Sequence, residues 1–246
     1  MTAAPASSRA HEGESQSQAL SLRLDGGDTV SALWLRPAAA HACVVFAHGA
    51  GAGMRHAFMA AFAEGLAGRG IATLRFQFPY MERSSKRPDA PAVAHATVRA
   101  AVAEAAARSA GLPLFAGGKS FGGRMTSQAQ ASQRLPGVRG IVFVAFPLHP
   151  AGRPSLDRAV HLDAVRCPML FLQGTRDELA DFALLKNVVD RLGSLATLEA
   201  FADADHAFHV RARSGGTDLQ VREAMLDATA RWIIERAAAG PTPPGA

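Results

Sequence analysis

Short, continuous apolar runs alternate with helix-periodic stretches along most of this chain. The runs fall at residues 43–47, 71–76, 112–116, 140–145, 169–173 and 196–201, and the helical stretches at about 57–69, 92–109, 121–134, 178–192 and 218–238. Strands that are apolar at every position are buried on both faces. Their alternation with helices predicts a mostly parallel sheet with helices on both faces. Ahead of them, residues 19–24 and 30–35 alternate with period two and are joined by Asp25-Gly26-Gly27-Asp28. That pattern predicts an antiparallel hairpin at the N-terminal edge. The expected class is α/β. The segments between strands are short, so no large cap domain is expected, and no internal repeat is visible.

Composition narrows the picture. A chain of 246 residues suits one sizeable domain, expected over 19–238, whose core needs no staples. Residues 1–18 are rich in Ala, Ser, Gln and Glu without an apolar segment, so they read as a disordered lead-in rather than a signal peptide. Residues 239–246, with Gly240-Pro241-Thr242-Pro243-Pro244, read as a disordered tail. No apolar window is long enough to span a membrane. Cys43 and Cys167 both sit in or beside apolar runs, without metal-ligand spacing, and read as small buried hydrophobes in strands. Unpaired cysteines suit a reducing cytoplasm. The net charge of +5 raises the question of nucleic acid. The arginines are scattered singly, however, and no aromatic-interleaved basic patch accompanies them, so no nucleic-acid partner is expected.

The candidate chemistry centres on Gly118-Lys119-Ser120-Phe121-Gly122, which lies between an apolar run and a helical stretch. G-x-S-x-G at a strand-to-helix turn is the pattern of a nucleophile elbow, where the serine is held in strained backbone and exposed above the sheet. A serine hydroxyl needs a base to take its proton, and the base needs an orienting carboxylate. Asp177 follows the run 169–173, and His206 follows the run 196–201. In an open parallel sheet, groups beyond the carboxyl ends of strands gather on one edge. Glu178 and Asp181 compete with Asp177, and His209 competes with His206. Oxyanion donors are expected at the amide of Ala50, within the small-residue stretch His48-Gly49-Ala50-Gly51-Ala52-Gly53, and at the amide of Phe121. Gly118-Lys119-Ser120 also mimics the end of a phosphate loop, but Pro113 stands where that loop needs glycine.

Taken with Leu74-Arg75-Phe76-Gln77-Phe78-Pro79-Tyr80, Pro147-Leu148-His149-Pro150, Gln173-Gly174-Thr175-Arg176-Asp177 and Asp205-His206, these residues resemble a serine α/β-hydrolase without a cap. The resemblance is closer to the small KANL/Tex-type group near the dienelactone-hydrolase-like enzymes. It implies an α/β-hydrolase fold and hydrolysis of a small acyl substrate, an ester, by Ser120, Asp177 and His206 without a cofactor. Dienelactone hydrolases themselves carry cysteine as nucleophile, so Ser120 argues for ester-type hydrolysis instead. Relatives in this group include a scaffold subunit of a chromatin complex, and a non-catalytic interaction module is the alternative expectation. His48 is expected to orient the oxyanion loop, and His149 either to line the site or to serve the fold. Arg83, Lys86 and Arg87 form a basic loop near the expected mouth, either simply solvated or favouring anionic substrates. His11, His41, His56, His95 and His161 show no ligand spacing, so no metal is expected.

Overall fold

A computed structural model of the chain describes residues 17–239. The lead-in and the tail expected from the sequence lie outside the described residues, apart from residues 17, 18 and 239. Eight strands form one sheet in the order β1-β2-β4-β3-β5-β6-β7-β8. β1 (Gln18–Arg23) and β2 (Thr29–Leu35) make the antiparallel hairpin, and β2 also runs antiparallel to β4 (Ile71–Phe76). β3 (Ala42–Ala47), β4, β5 (Leu114–Lys119), β6 (Val138–Val144), β7 (Met169–Gly174) and β8 (Ala196–Phe201) pair in parallel.

Helices α1 (Ala57–Ala67), α2 (Pro79–Glu82, a single turn), α3 (Pro91–Arg108), α4 (Phe121–Ser132), α5 (Phe182–Leu192) and α6 (Asp218–Ala238) connect and cover the strands. β3 shows why its sequence is apolar throughout. Ala42, Val44 and Phe46 belong to a core with Met59 and Phe62 of α1 and Met225 and Ile233 of α6. Cys43, Val45 and Ala47 face the other way, into a core with Val98 and Val102 of α3 and Met125 of α4. A strand with period-two side chains and two buried faces has no polar position to offer.

The connection out of β3 runs to β4 on one side of it, whereas β5 lies on the other. This reversal of winding opens a crevice at the carboxyl ends of β3 and β5, where ligands bind in open α/β sheets. The loop beginning at His48 and the turn at Ser120 both emerge there.

Element boundaries depart from the sequence expectation where hydrophobicity is a poor guide. β5 was expected over 112–116, yet it runs on through Gly117, Gly118 and Lys119. Those glycines pair with β3 and β6 as strand residues, and neighbouring backbone requires them to be glycine: a Cβ on Gly117 would lie 2.0 Å from Val142 O, and one on Gly118 2.3 Å from Ala47 O. α5 was expected from 178 but begins at Phe182, because Asp177–Asp181 form a turn and the Asp181 carboxylate caps the helix by accepting from Leu184 N at 3.0 Å. A 3₁₀ segment at Asp157–Ala164 and the single turn α2 carry no clear helical periodicity and were not foreseen. Cys43 is in β3, but Cys167 precedes β7 rather than lying in it. Both are buried, and burial pushes both thiols up to about 12. Among the described residues, no helix is long and apolar enough to cross a membrane.

Candidate active site

Ser120 occupies the turn between β5 and α4 with φ 50° and ψ −117°, a left-handed φ that costs a non-glycine residue about 1–3 kcal/mol. The turn is held from both sides. Ser120 N–H donates to Val144 O at 2.9 Å, and Arg124 N–H donates to Ser120 O at 3.1 Å. Just after the serine, a Cβ on Gly122 would come within 2.5 Å of both Ala47 O and His48 O. Only glycine lets the start of α4 press against the end of β3 so closely.

The structure brings Ser120, His206 and Asp177 together. Ser120 Oγ lies 2.9 Å from His206 Nε2, and His206 Nδ1 lies 2.7 Å from Asp177 Oδ2. The Asp177 side chain is fully buried, whereas that of His206 is 24% exposed. Besides the imidazole, Asp177 accepts from Gln173 Nε2 at 2.6 Å and from Leu179 N at 2.8 Å. A buried carboxylate with three donors has its charge satisfied and its orientation fixed. With the carboxylate accepting at Nδ1, Nε2 of the neutral ring is left to accept the Ser120 proton.

The competing residues sit elsewhere. Asp181 is the α5 cap, and Glu178 is exposed. His209 points to Asp218, 2.9 Å away, in an exposed pair on the start of α6.

The His48 loop is organised by backbone hydrogen bonds. His48 is buried, its Nε2 accepts from Phe78 N at 3.1 Å, and its Nδ1 lies 2.8 Å from Gly49 O. One nitrogen must accept and the other must donate, which defines a neutral ring with its proton on Nδ1. Burial agrees, because it holds the His48 pKa below the usual histidine value. Downstream, Gly51 N–H donates to Tyr80 Oη at 3.3 Å and Met54 N–H to Gln77 Oε1 at 2.8 Å. Ala50, expected as an oxyanion donor, lies in this loop as an exposed turn residue. Phe121, the other, is the first residue of α4, so its N–H has no acceptor within the helix. A cavity of about 430 Å³ opens beside the loop, lined by Ser31, Gly51, Met54, Gln77 and Glu82 among others.

Sequence reasoning left His149 open between two roles. It is 3% exposed, its Nε2 accepts from Asp181 N at 2.7 Å, and its Nδ1 lies 2.8 Å from Pro150 O. Both ring nitrogens are spent on backbone, so His149 braces the loop after β6 against the Asp177 turn. Arg83 of the basic loop is bound to Asp89 at 2.5 Å, while Lys86 and Arg87 are exposed. Sequence reasoning assigned nothing to Tyr80, Gln77, Gln173 or Lys119. All four lie inside the quoted motifs, and that adjacency is the one signal that marked them.

Comparison with known proteins agrees with this architecture. A family model described as an alpha/beta hydrolase domain matches residues 40–234. Among solved structures, the chain is similar to a dienelactone hydrolase from Anabaena variabilis, with 21% identity, 91% of this chain and 99% of that one covered, and a TM-score of 0.73. It is also similar to an alpha-beta serine hydrolase homologue from Coxiella burnetii (20% identity, 87% and 97% covered, TM-score 0.69). A third similar structure is an a/b serine hydrolase without lid from Xanthomonas campestris (24% identity, 88% and 95% covered, TM-score 0.68).

Proposed function

The chain belongs to the alpha/beta hydrolase domain family, and on that premise we propose that it is a serine hydrolase cleaving a small acyl ester. Ser120 is the nucleophile, His206 the base and Asp177 its orienting partner. The observation that carries this reading is the continuous chain from Ser120 Oγ through the His206 ring to a buried, fully bonded Asp177, at 2.9 and 2.7 Å.

In the first half-reaction the Ser120 proton passes to His206 Nε2 as Oγ bonds to the acyl carbon. The carbonyl oxygen becomes an oxyanion, held by the Ala50 and Phe121 amides and favoured by the N-terminus of α4. Collapse breaks the acyl–alkoxy bond, and His206 returns its proton to the departing alcohol. Water then attacks the acyl-enzyme while His206 takes its proton, and the acid leaves as Ser120 regains a hydrogen. Buried Asp177 stabilises the imidazolium formed in each half without taking a proton itself. The solved relatives named for serine hydrolysis and dienelactone hydrolysis are consistent with ester chemistry on this fold.

The test is a series of p-nitrophenyl esters of increasing acyl length, assayed with the wild-type chain and S120A. Turnover of the short esters that disappears in a folded S120A variant supports the reading. A folded wild-type chain inert toward every ester would leave a non-catalytic interaction module as the better description, and an S120A variant as active as the parent would overturn the assignment of Ser120 as nucleophile.

A further inference from the structure

Lys119 carries a half-buried charge that the proposed reaction does not consume. It ends β5 and directly precedes Ser120. Its side chain turns inward: Nζ donates to His206 O at 2.9 Å and lies 4.6 Å from the centre of the Phe58 ring and 5.3 Å from that of Phe208. Phe58 belongs to α1, and Phe208 stands two residues beyond the histidine. Among the described residues no carboxylate lies within ion-pair distance of Nζ. Desolvation holds the ammonium down to about 8, against the weaker opposing pull of Asp177 and Asp205. A cation partly withdrawn from water without a carboxylate is costly, and an apolar side chain of similar length would avoid that cost. The core therefore gives no reason for a lysine here.

The segment Lys119 touches does give one. Around His206 the chain is strained, since Asp203 (φ 56°) and Phe208 (φ 64°) are both left-handed without being glycine. The Asp205 carboxylate ties down Ala207 N at 2.8 Å and His209 N at 2.9 Å. The carbonyl of His206 itself is held by Lys119. Two consecutive residues of the elbow thus grip the histidine, Ser120 at the ring and Lys119 at the main chain.

We propose that Lys119 is a positioning residue, whose ammonium, boxed by Phe58 and Phe208, clamps the His206 carbonyl and keeps the ring at attack distance from Ser120. The inference rests on the serine-hydrolase reading above. The charged and titratable groups around Nζ are Asp177, Asp205 and the His206 imidazole, while α1 presents the Phe58 ring.

The experiment compares wild-type, K119M and K119R chains on one neutral p-nitrophenyl ester, recording kcat, KM, the pH–rate profile and Tm. K119M is expected to melt no lower than the parent, since it removes a charge held partly out of water. Its kcat should fall about ten- to a hundredfold, the scale on which a misplaced catalytic group is penalised, with KM little changed. Its profile should carry no alkaline decline from position 119, because the titrating group is gone. K119R keeps both donor and charge. It should restore most of kcat and lose the decline expected of the wild-type as Lys119 deprotonates near pH 8. A folded K119M with the parental kcat and profile overturns the proposal. If K119M melts lower than the parent, K119R decides: recovery of kcat supports the clamp, and no recovery assigns Lys119 to the fold alone. A wild-type chain that is itself inert overturns the hydrolase reading, and this inference with it.

Discussion

The two sides of Ser120 are built from different materials. On one side, Asp177 and His206 are ionisable side chains, each fixed by several partners: Gln173, Leu179 and the imidazole around the carboxylate, Lys119 and the Asp205 turn around the histidine. On the other side, residues 48–53 offer little but main chain, held by the neutral His48 ring, Tyr80 Oη and Gln77 beside an open cavity. The difference follows the chemistry each side would perform. Moving a proton requires groups of defined charge and tautomer, which only side chains supply. Receiving negative charge requires N–H groups at close range, which bare backbone supplies best. A single substitution can delete the first kind of function outright. It can reach the second only through the residues that support the loop.

The largest expected effect is that of D177N. An amide in that buried position can present its NH₂ to Nδ1 and reverse the tautomer of His206. kcat should then fall about 10³–10⁴-fold in a chain that still folds, by analogy with the equivalent change in serine proteases. A loss of tenfold or less would mean that the carboxylate is a structural anchor, and the contrast between the two sides would weaken.

Y80F comes next. It leaves Gly51 N–H without its acceptor and loosens the loop without touching the proton path. A decrease in kcat of about tenfold is expected, the scale of one lost hydrogen bond, with an unchanged pH–rate profile. If Y80F shifted the pH profile, or matched D177N in magnitude, the two sides would not be separable in this way.

The smallest effect belongs to H209A. His209 and Asp218 are both exposed and bond to each other, while the ring at Ser120 is that of His206. Steady-state parameters should match the parent. Asp218 raises the proton affinity of His209, and His209 lowers that of Asp218, so their attraction needs both groups charged. Any stability difference between H209A and the parent should therefore appear at mildly acidic pH and fade as pH rises through the histidine range. Thermal melts across that range check the sign.

The contrast also explains what could be read from the sequence. β4 and β8 occupy the residues expected of them, and β3 starts one residue earlier; for β3 and β4 the reason is that an apolar run buried on both faces has few other uses. That Ser120, Asp177 and His206 could meet was legible too, since all three follow strands of one parallel sheet and leave it at the same edge. Choosing among neighbours was harder. Asp177, Glu178 and Asp181 look alike as acids ahead of a helix, and only the turn that delays α5 to Phe182 separates a carboxylate facing the histidine from a helix cap. The supporting residues were the least legible. Gln173 reads as the end of a strand, and nothing in the sequence assigns a role to Tyr80 or Lys119, because what those two touch comes from segments distant in sequence. Conversely, His149 resembles a site residue in sequence, yet its two ring nitrogens bond only to backbone.

The most direct measurement is the identity and rate of covalent labelling by a fluorophosphonate, followed by peptide mass spectrometry. A serine activated as the geometry implies should carry the adduct at Ser120, stoichiometrically and ahead of every other hydroxyl in the chain. Labelling should slow sharply in D177N and slow little in Y80F at matched pH. An unmodified Ser120 in the folded wild-type chain, or labelling that proceeds equally fast without the Asp177 carboxylate, would contradict the assignment of Ser120 as an activated nucleophile.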